Sequence, residues 1–303
     1  MANGGIIGPI QSVTAQSTIA AKVTTFNSSG TFTAQATANV DYLVVGGGGG
    51  SGCSSDNNSK GGGGGAGGYR ASGFGPSPLR GCAVPVVGST GYTITIGAGG
   101  PASASTPVGD GEDSVFNYNG GNITSAGGGH GASHRTAAQA GGSGGAGAPG
   151  NCSAGSGNTP PTDPPQGNNG GSGTGEGTPV ASARKGGGGG GALEAGNSDG
   201  QSHGGDGAPN TITGSDVTYA GGGGGGEGTG SSVGGAGGAN QGQSGSANTG
   251  GGGGGNDGAG GNSGGSGIVV IKEPESTSPA TAPGFWTLSE VYDLRKSGDW
   301  TGF

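Results

Sequence analysis

The chain has 303 residues, of which 88 are glycine and 37 are Leu, Ile, Val or Phe. That apolar share is far below the fifth of a chain that a globular core uses, so the length suggests two domains but the composition excludes an ordinary side-chain core of that size. The net charge is −8, and the 10 Lys and Arg residues are scattered. This excludes phosphate-directed binding to nucleic acid or to an anionic membrane surface, which needs clustered cations.

Residues 1–45 are poor in glycine and rich in Thr and β-branched residues. The sequence predicts short strands over 23–26, 30–33 and 41–45, with turns at 27–30 and 36–39, and hence a small N-terminal β attachment segment over 1–45. Residues 1–20 lack a basic start and a long apolar run, so no secretory signal is expected. The longest strongly apolar run, 268–271, is far too short to span a membrane.

A glycine-rich domain is predicted over 46–272. Uninterrupted tracts stand at 46–50, 61–65, 186–191, 221–226 and 250–255. Strand-like segments fall between them: 92–96, a weaker pair at 114–116 and 122–124, the stretch 212–219, and a closing strand at 268–271. Low hydrophobicity matches half of the signature of disorder, but high net charge, the other half, is missing. β-Branched alternation recurring at tract boundaries argues for order.

An α-helix is disfavoured in such tracts by about 1 kcal/mol per Gly relative to Ala. The extended alternative is the polyproline II helix, with about three residues per turn and about 3.1 Å rise. Its backbone groups point outward and need partners, and glycine allows neighbours close enough to supply them. The opposing term is the large conformational entropy of glycine, so only a bundle is expected to persist. Roughly ten glycine-rich segments of about 8–12 residues, about 25–37 Å each, suffice for one. The fold class expected is therefore mostly irregular and β: a polyglycine II helix bundle with short flanking strands and one short C-terminal α-helix.

Side chains with binding chemistry collect between the tracts, where recognition usually sits on a rigid frame. Residues 69–87 carry Tyr69, Arg70, Phe74 and Arg80. Residues 130–139 carry His134 and Arg135. Residues 151–169 carry Pro160, Pro161, Pro164 and Pro165. Residues 273–283 read as a linker, and 284–303 as a helical docking tail. In that tail Thr287 and Glu290 form a capping box, Trp286 and Val291 a hydrophobic staple, and Gly298 a C-terminal stop. The predicted helix spans 288–297, and Phe285, Trp286, Leu288, Tyr292 and Trp300 give the tail an apolar surface. A helix that short is marginal alone, so it is expected to dock.

Patterns for catalysis or cofactors are missing. With 88 glycines, matches to G-x-G-x-x-G are uninformative. His130 and His134 lie four apart, but the glycines at 127–129 disfavour the helix that would align them, so they read as solvated loop residues. Asp110, Glu112 and Asp113 lack the spacing of a calcium loop and read as a polar turn. The segment 204–207 echoes a calcium-binding nonapeptide but is not repeated. Cys53, Cys82 and Cys152 are far apart with no C-x-x-C, against zinc; one disulfide with a thiol left over and three free thiols both stay open. No enzyme, cofactor or metal is expected.

The strand-to-tract junctions resemble a known family. Asp41-Tyr-Leu-Val-Val followed by 46–50, preceded by Phe26-Asn-Ser-Ser-Gly-Thr-Phe32, is similar to the start of glycine-rich domains in bacteriophage tail-fibre proteins. Residues 212–224 and 264–271 are similar to their interior and closing motifs. The resemblance implies polyglycine II bundles, as in adhesins of T-even-like phages, with loops at the bundle tip binding bacterial surface receptors. Residues 284–300 look like C-terminal segments of marine cyanophage virion proteins. The resemblance thus implies a virion tail-fibre adhesin, assembled in the host cytoplasm. Its partners would be other virion proteins and a host glycan or outer-membrane protein, with a homotrimer among the assemblies expected, and with no nucleic acid and no membrane insertion. The best contact candidates are Tyr69, Arg70, Phe74 and Arg80, then His134 and Arg135. The rival reading is a structural fibre or capsid component without a receptor. An ice-binding role would need a flat, regular Thr or Ala face, which the linear sequence does not show.

Overall fold

The computed structural model describes residues 18–53, 60–102, 109–133, 136–150, 153–175, 183–228, 232–258, 260–277 and 296. In chain order the strands are β1 (Thr18–Ile19), β2 (Lys22–Phe26), β3 (Gly30–Thr33), β4 (Ala38–Val45), β5 (Tyr69–Ser72), β6 (Arg80–Gly81), β7 (Val84–Val86), β8 (Gly91–Thr95), β9 (Ser114–Tyr118), β10 (Gly121–Ser125), β11 (Ala208–Asn210), β12 (Val217–Tyr219), β13 (Ile268–Glu273) and β14 (Ser276–Thr277). One 3-10 turn, Ser77–Leu79, joins β5 to β6. Apart from Lys296, which has α-helical conformation, the rest is irregular backbone with isolated bridges, and no full α-helix is defined among the described residues. The helix expected over 288–297 is not seen: apart from Lys296 it lies outside the described residues, as do Phe285, Trp286, Leu288, Tyr292 and Trp300.

The chain forms two compact units, 1–22 with 274–303, and 23–273. In the smaller unit β1 pairs antiparallel with β14. In the larger unit the first strands do not form a cap of their own. β3 joins the four-stranded sheet β10-β9-β8-β3, and β4 lies inside the six-stranded sheet β2-β13-β4-β5-β6, where it also pairs with β7. The expected strands at 23–26, 30–33, 41–45, 92–96, 114–116, 122–124 and 268–271 fall on β2, β3, β4, β8, β9, β10 and β13. Only the last three residues of 212–219 are extended, as β12.

Strand alternation divides the apolar residues between two cores. Phe32, Tyr42, Val44, Tyr92, Ile94, Phe116, Val269 and Ile271 fill the space between the two larger sheets, with Phe116 edge-on to both Phe32 and Tyr42. The other face of the six-stranded sheet carries Leu43, Val45, Tyr69, Ala71, Ile268 and Val270, covered by Leu79, Ile212 and Tyr219. So few large apolar residues suffice because the rest of the unit is held together differently.

From β4 the backbone runs on as 46–53 and returns as 60–68 into β5. In the returning tract the N–H groups of Gly61, Gly64 and Gly67 donate to Asn256, Gly253 and Gly250. Those of Gly62, Gly65 and Gly68 donate to Ala132, Gly129 and Ala126, and those of Gly63 and Ala66 to Gly187 and Gly190. Its carbonyls accept from a different set, 46–52, 143–146 and 223–226. Residues three apart thus address the same neighbour, and six tracts surround this one. The tract 46–52 repeats the pattern: Gly47 and Gly50 donate to 109–112, Gly48 and Ser51 to 262–265. Buried backbone groups are satisfied by other backbone, which offsets the lack of side-chain burial.

This packing leaves no room for a side chain. A Cβ on Gly64 would lie 2.8 Å from Gly49 C and 3.0 Å from Gly50 O, and closer still to Gly49 O. Where a row of N–H groups has no tract opposite it, side-chain oxygens take the place of the carbonyls. Gly127 and His130, three apart, donate to the carboxylates of Asp113 (2.8 Å) and Asp110 (2.9 Å), also three apart. Gln166 Oε1 accepts from Ala126, and Asn197 Oδ1 from Gly188.

Candidate functional site

Hydrogen-bond register fixes which residues share an end of the larger unit. Gly46, Gly49 and Gly52 donate to Gly68, Gly65 and Gly62, so Val45 and Tyr69 lie at one end and Cys53 and Lys60 at the other. Gly50 donates to Gly109 and Gly100 to Gly48, which places Ala102 and Gly109 with Cys53. Ser133 pairs with Thr136, Thr174 with Lys185 and Lys185 with Glu227 on the same side. The described residues that flank 54–59, 103–108, 134–135, 176–182 and 229–231 therefore lie at the end of the tracts away from the sheets. Two ion pairs tie that end together: Lys185 Nζ to Glu227 Oε1 at 3.1 Å, and Lys60 Nζ to Asp257 Oδ2 at 3.9 Å.

The segment 69–87 lies at the opposite end, and it is not a loop but β5, a turn, β6 and β7 on the six-stranded sheet. Tyr69, the first of the contact candidates, is a core residue with 1 % exposure. Its hydroxyl accepts from Asn210 Nδ2 at 2.7 Å, and burial, against that bond, pushes its pKa up to about 12. Tyr69 is thus not available to a partner. The other three are split. Arg70 stands opposite Val44 on the inter-sheet face, where burial raises the Tyr42 hydroxyl and the Arg70 charge opposes the rise. Phe74 packs on the Leu43 and Tyr69 side, with Lys272 Nζ 4.2 Å from its ring centroid. Arg80 is exposed and donates through Nε to Gly75 O. His134 and Arg135 lie outside the described residues; the flanking Ser133 and Thr136 pair with each other at the far end. The proline-bearing segment returns to the strand end: Asn158 Oδ1 accepts from Thr162 and Gln166, and Gln166 O accepts from Tyr69.

The acidic residues at 110–113 are not simply a polar turn. Asp110 and Asp113 cap the N–H row of Gly127 and His130. Asp110 Oδ1 is also 2.6 Å from His130 Nδ1. Burial pushes the Asp110 carboxyl up, but the two His130 hydrogen bonds and its charge outweigh that and leave it below its ordinary value. One ligand atom each from Glu194, Asp199 and Asp206 lie within 4.8 Å of one another; Asp206 Oδ1 is engaged by the Ala236 N–H at 2.8 Å. Cys53 is a buried free thiol and Cys82 an exposed one, while Cys152 lies outside the described residues.

A threonine-bearing face does exist. Pairing of β3 with β8 sets Thr31 beside Thr93, with Thr33, Thr95, Asn117, Asn122 and Thr124 on the same outer, uncharged side of the four-stranded sheet. It is invisible in the sequence because its residues come from four separate segments.

Tracts cross-linked through their backbones and capped by two sheets make this a glycine-framework protein. A family model described as a glycine-rich domain matches residues 24–273, and the chain belongs to that family. No curated protein matches the chain.

Proposed function

We propose that this chain is a phage virion protein, a tail-fibre adhesin in which a rigid glycine framework presents its far-end connections to a host glycan or outer-membrane protein. The tracts are read as polyglycine II helices. The three-residue repeat of hydrogen-bond partners supports this, since it is the period of that helix. The observation that supports the presentation reading is the sorting of the ends, with the sheets gathered at one and the described residues flanking 54–59, 103–108, 134–135, 176–182 and 229–231 at the other. Connections on a rigid frame are suited to recognition, and here these segments replace 69–87 as the preferred contact surface, with His134 and Arg135 kept. The protein is read as non-catalytic, and its placement in the virion rests on the resemblance of the junction motifs.

The test exchanges 103–108 and 176–182 for the matching segments of a related fibre and measures adsorption to host cells. A changed host range is expected. Unchanged adsorption by a folded, incorporated variant overturns the receptor role and leaves a purely structural virion component, which imaging of the labelled protein in the particle would then locate.

A further inference from the structure

Asn–Gly steps are chemically labile because glycine has no side chain to hinder attack of its own nitrogen on the preceding carboxamide. The chain has three, at Asn3, Asn119 and Asn169, of which Asn3 lies outside the described residues. The fold treats the other two oppositely. Asn119 and Gly120 form the turn between β9 and β10, and both are exposed. Gly120 has φ +121°, and a Cβ there would meet only the Tyr118 ring, at 3.7 Å. Among the described contacts none engages the Gly120 N–H or the Asn119 carboxamide; Asn119 is held only through its own N–H, on Pro85 O at 3.2 Å. Asn169, in contrast, accepts from the Gly157 N–H through Oδ1 at 2.9 Å. Gly170 donates its N–H to Gly155 O at 3.1 Å, and its backbone is pressed against Gly145.

We propose that Asn119 is a spontaneous modification site, converting to aspartate and isoaspartate through a succinimide, and that the framework protects Asn169 from the same reaction. The Gly120 nitrogen forms a bond to Asn119 Cγ and loses its proton to solvent. The Cγ–Nδ2 bond breaks and ammonia leaves. Water then opens the ring at either carbonyl. Each conversion adds one negative charge to the hairpin, and the isoaspartyl product also adds a methylene to its backbone. This inference stands apart from the proposed function.

The test incubates the full chain in mildly alkaline buffer, folded and in urea, and follows both sites by peptide mapping with mass spectrometry. In the folded chain Asn119 should convert at nearly its rate in urea. Asn169 should be slowed by about tenfold or more, because local opening must precede reaction. An Asn119→Gln variant should lose the share of the acidic charge variants on ion exchange that peptide mapping assigns to residue 119, while any share from Asn3 persists. Asn119 remaining intact in the folded chain while it converts in urea, or Asn169 converting as fast as Asn119, overturns the proposal.

Discussion

Replacing Gly64 by alanine tests whether the tracts are the core. Gly64 sits inside the six-neighbour tract, donating to Gly253 O at 2.8 Å and accepting from Gly223 at 2.9 Å. The new Cβ faces Gly49 and Gly50 at distances no carbon sustains, so the tract 46–52 must retreat by about 1 Å to restore ordinary contact. That retreat lengthens the row of bonds from Gly46, Gly49 and Gly52, now 3.1, 2.8 and 2.9 Å, past useful hydrogen bonding. A buried group left unpaired costs about 1–3 kcal/mol, so a row sharing the distortion costs about 3–6 kcal/mol in total. Reduced freedom of the unfolded chain returns about 0.4–1 kcal/mol. The control is Gly258, where an added Cβ meets nothing within 4 Å; alanine there should be neutral or mildly stabilising. Urea unfolding of both variants measures the difference, which is large against a total stability of about 5–15 kcal/mol. If Gly64→Ala and Gly258→Ala unfold within about 0.5 kcal/mol of each other, the close-packed backbone is not what holds the molecule together.

Asp113→Ala should lower stability by about 1–3 kcal/mol through the stranded Gly127 N–H, while Asp113→Asn, which keeps an acceptor, should recover most of it by the same unfolding assay. Tyr69→Phe should cost about 1–2 kcal/mol because Asn210 Nδ2 loses its acceptor. Tyr69 also predicts an alkaline limb. Its folded pKa is raised from 10.0 to about 12, so its contribution is complete below pH 10 and is lost as pH rises through that interval; the Phe variant should show a shallower decline there. Asp110 acts in the opposite direction. Its folded value lies below the ordinary 3.8, so its contribution is present above that pH and is lost as pH falls through the folded value. Acid titration of stability in Asp110→Asn should flatten that limb.

Most strands are legible in the sequence because β-branched alternation marks an exposed sheet face in any context. β5 is not. Tyr69, Arg70 and Ala71 show no clean alternation, and the segment becomes a strand because β4 offers it an edge. Tyr69 reads as a contact residue in the sequence since nothing local reveals that Asn210, far away in the chain, supplies its hydrogen bond. The capping role of Asp110 and Asp113 leaves a trace, a spacing of three matching that of Gly127 and His130, but it becomes meaningful only once the tracts are known to be neighbours.

The sequence by itself determined that no side-chain core could organise most of this chain, and that glycine tracts, if ordered, must pair backbone to backbone. Both follow from composition and from the geometry open to a residue without a Cβ. Which tracts meet, which rows need side-chain caps, and which tract ends meet the sheets were decided only by the tertiary structure. Glycines are chemically identical, so one tract carries no label for its partner. The register comes from the strands that clamp the tract ends, from the side chains that block or cap particular rows, and from the lengths between them.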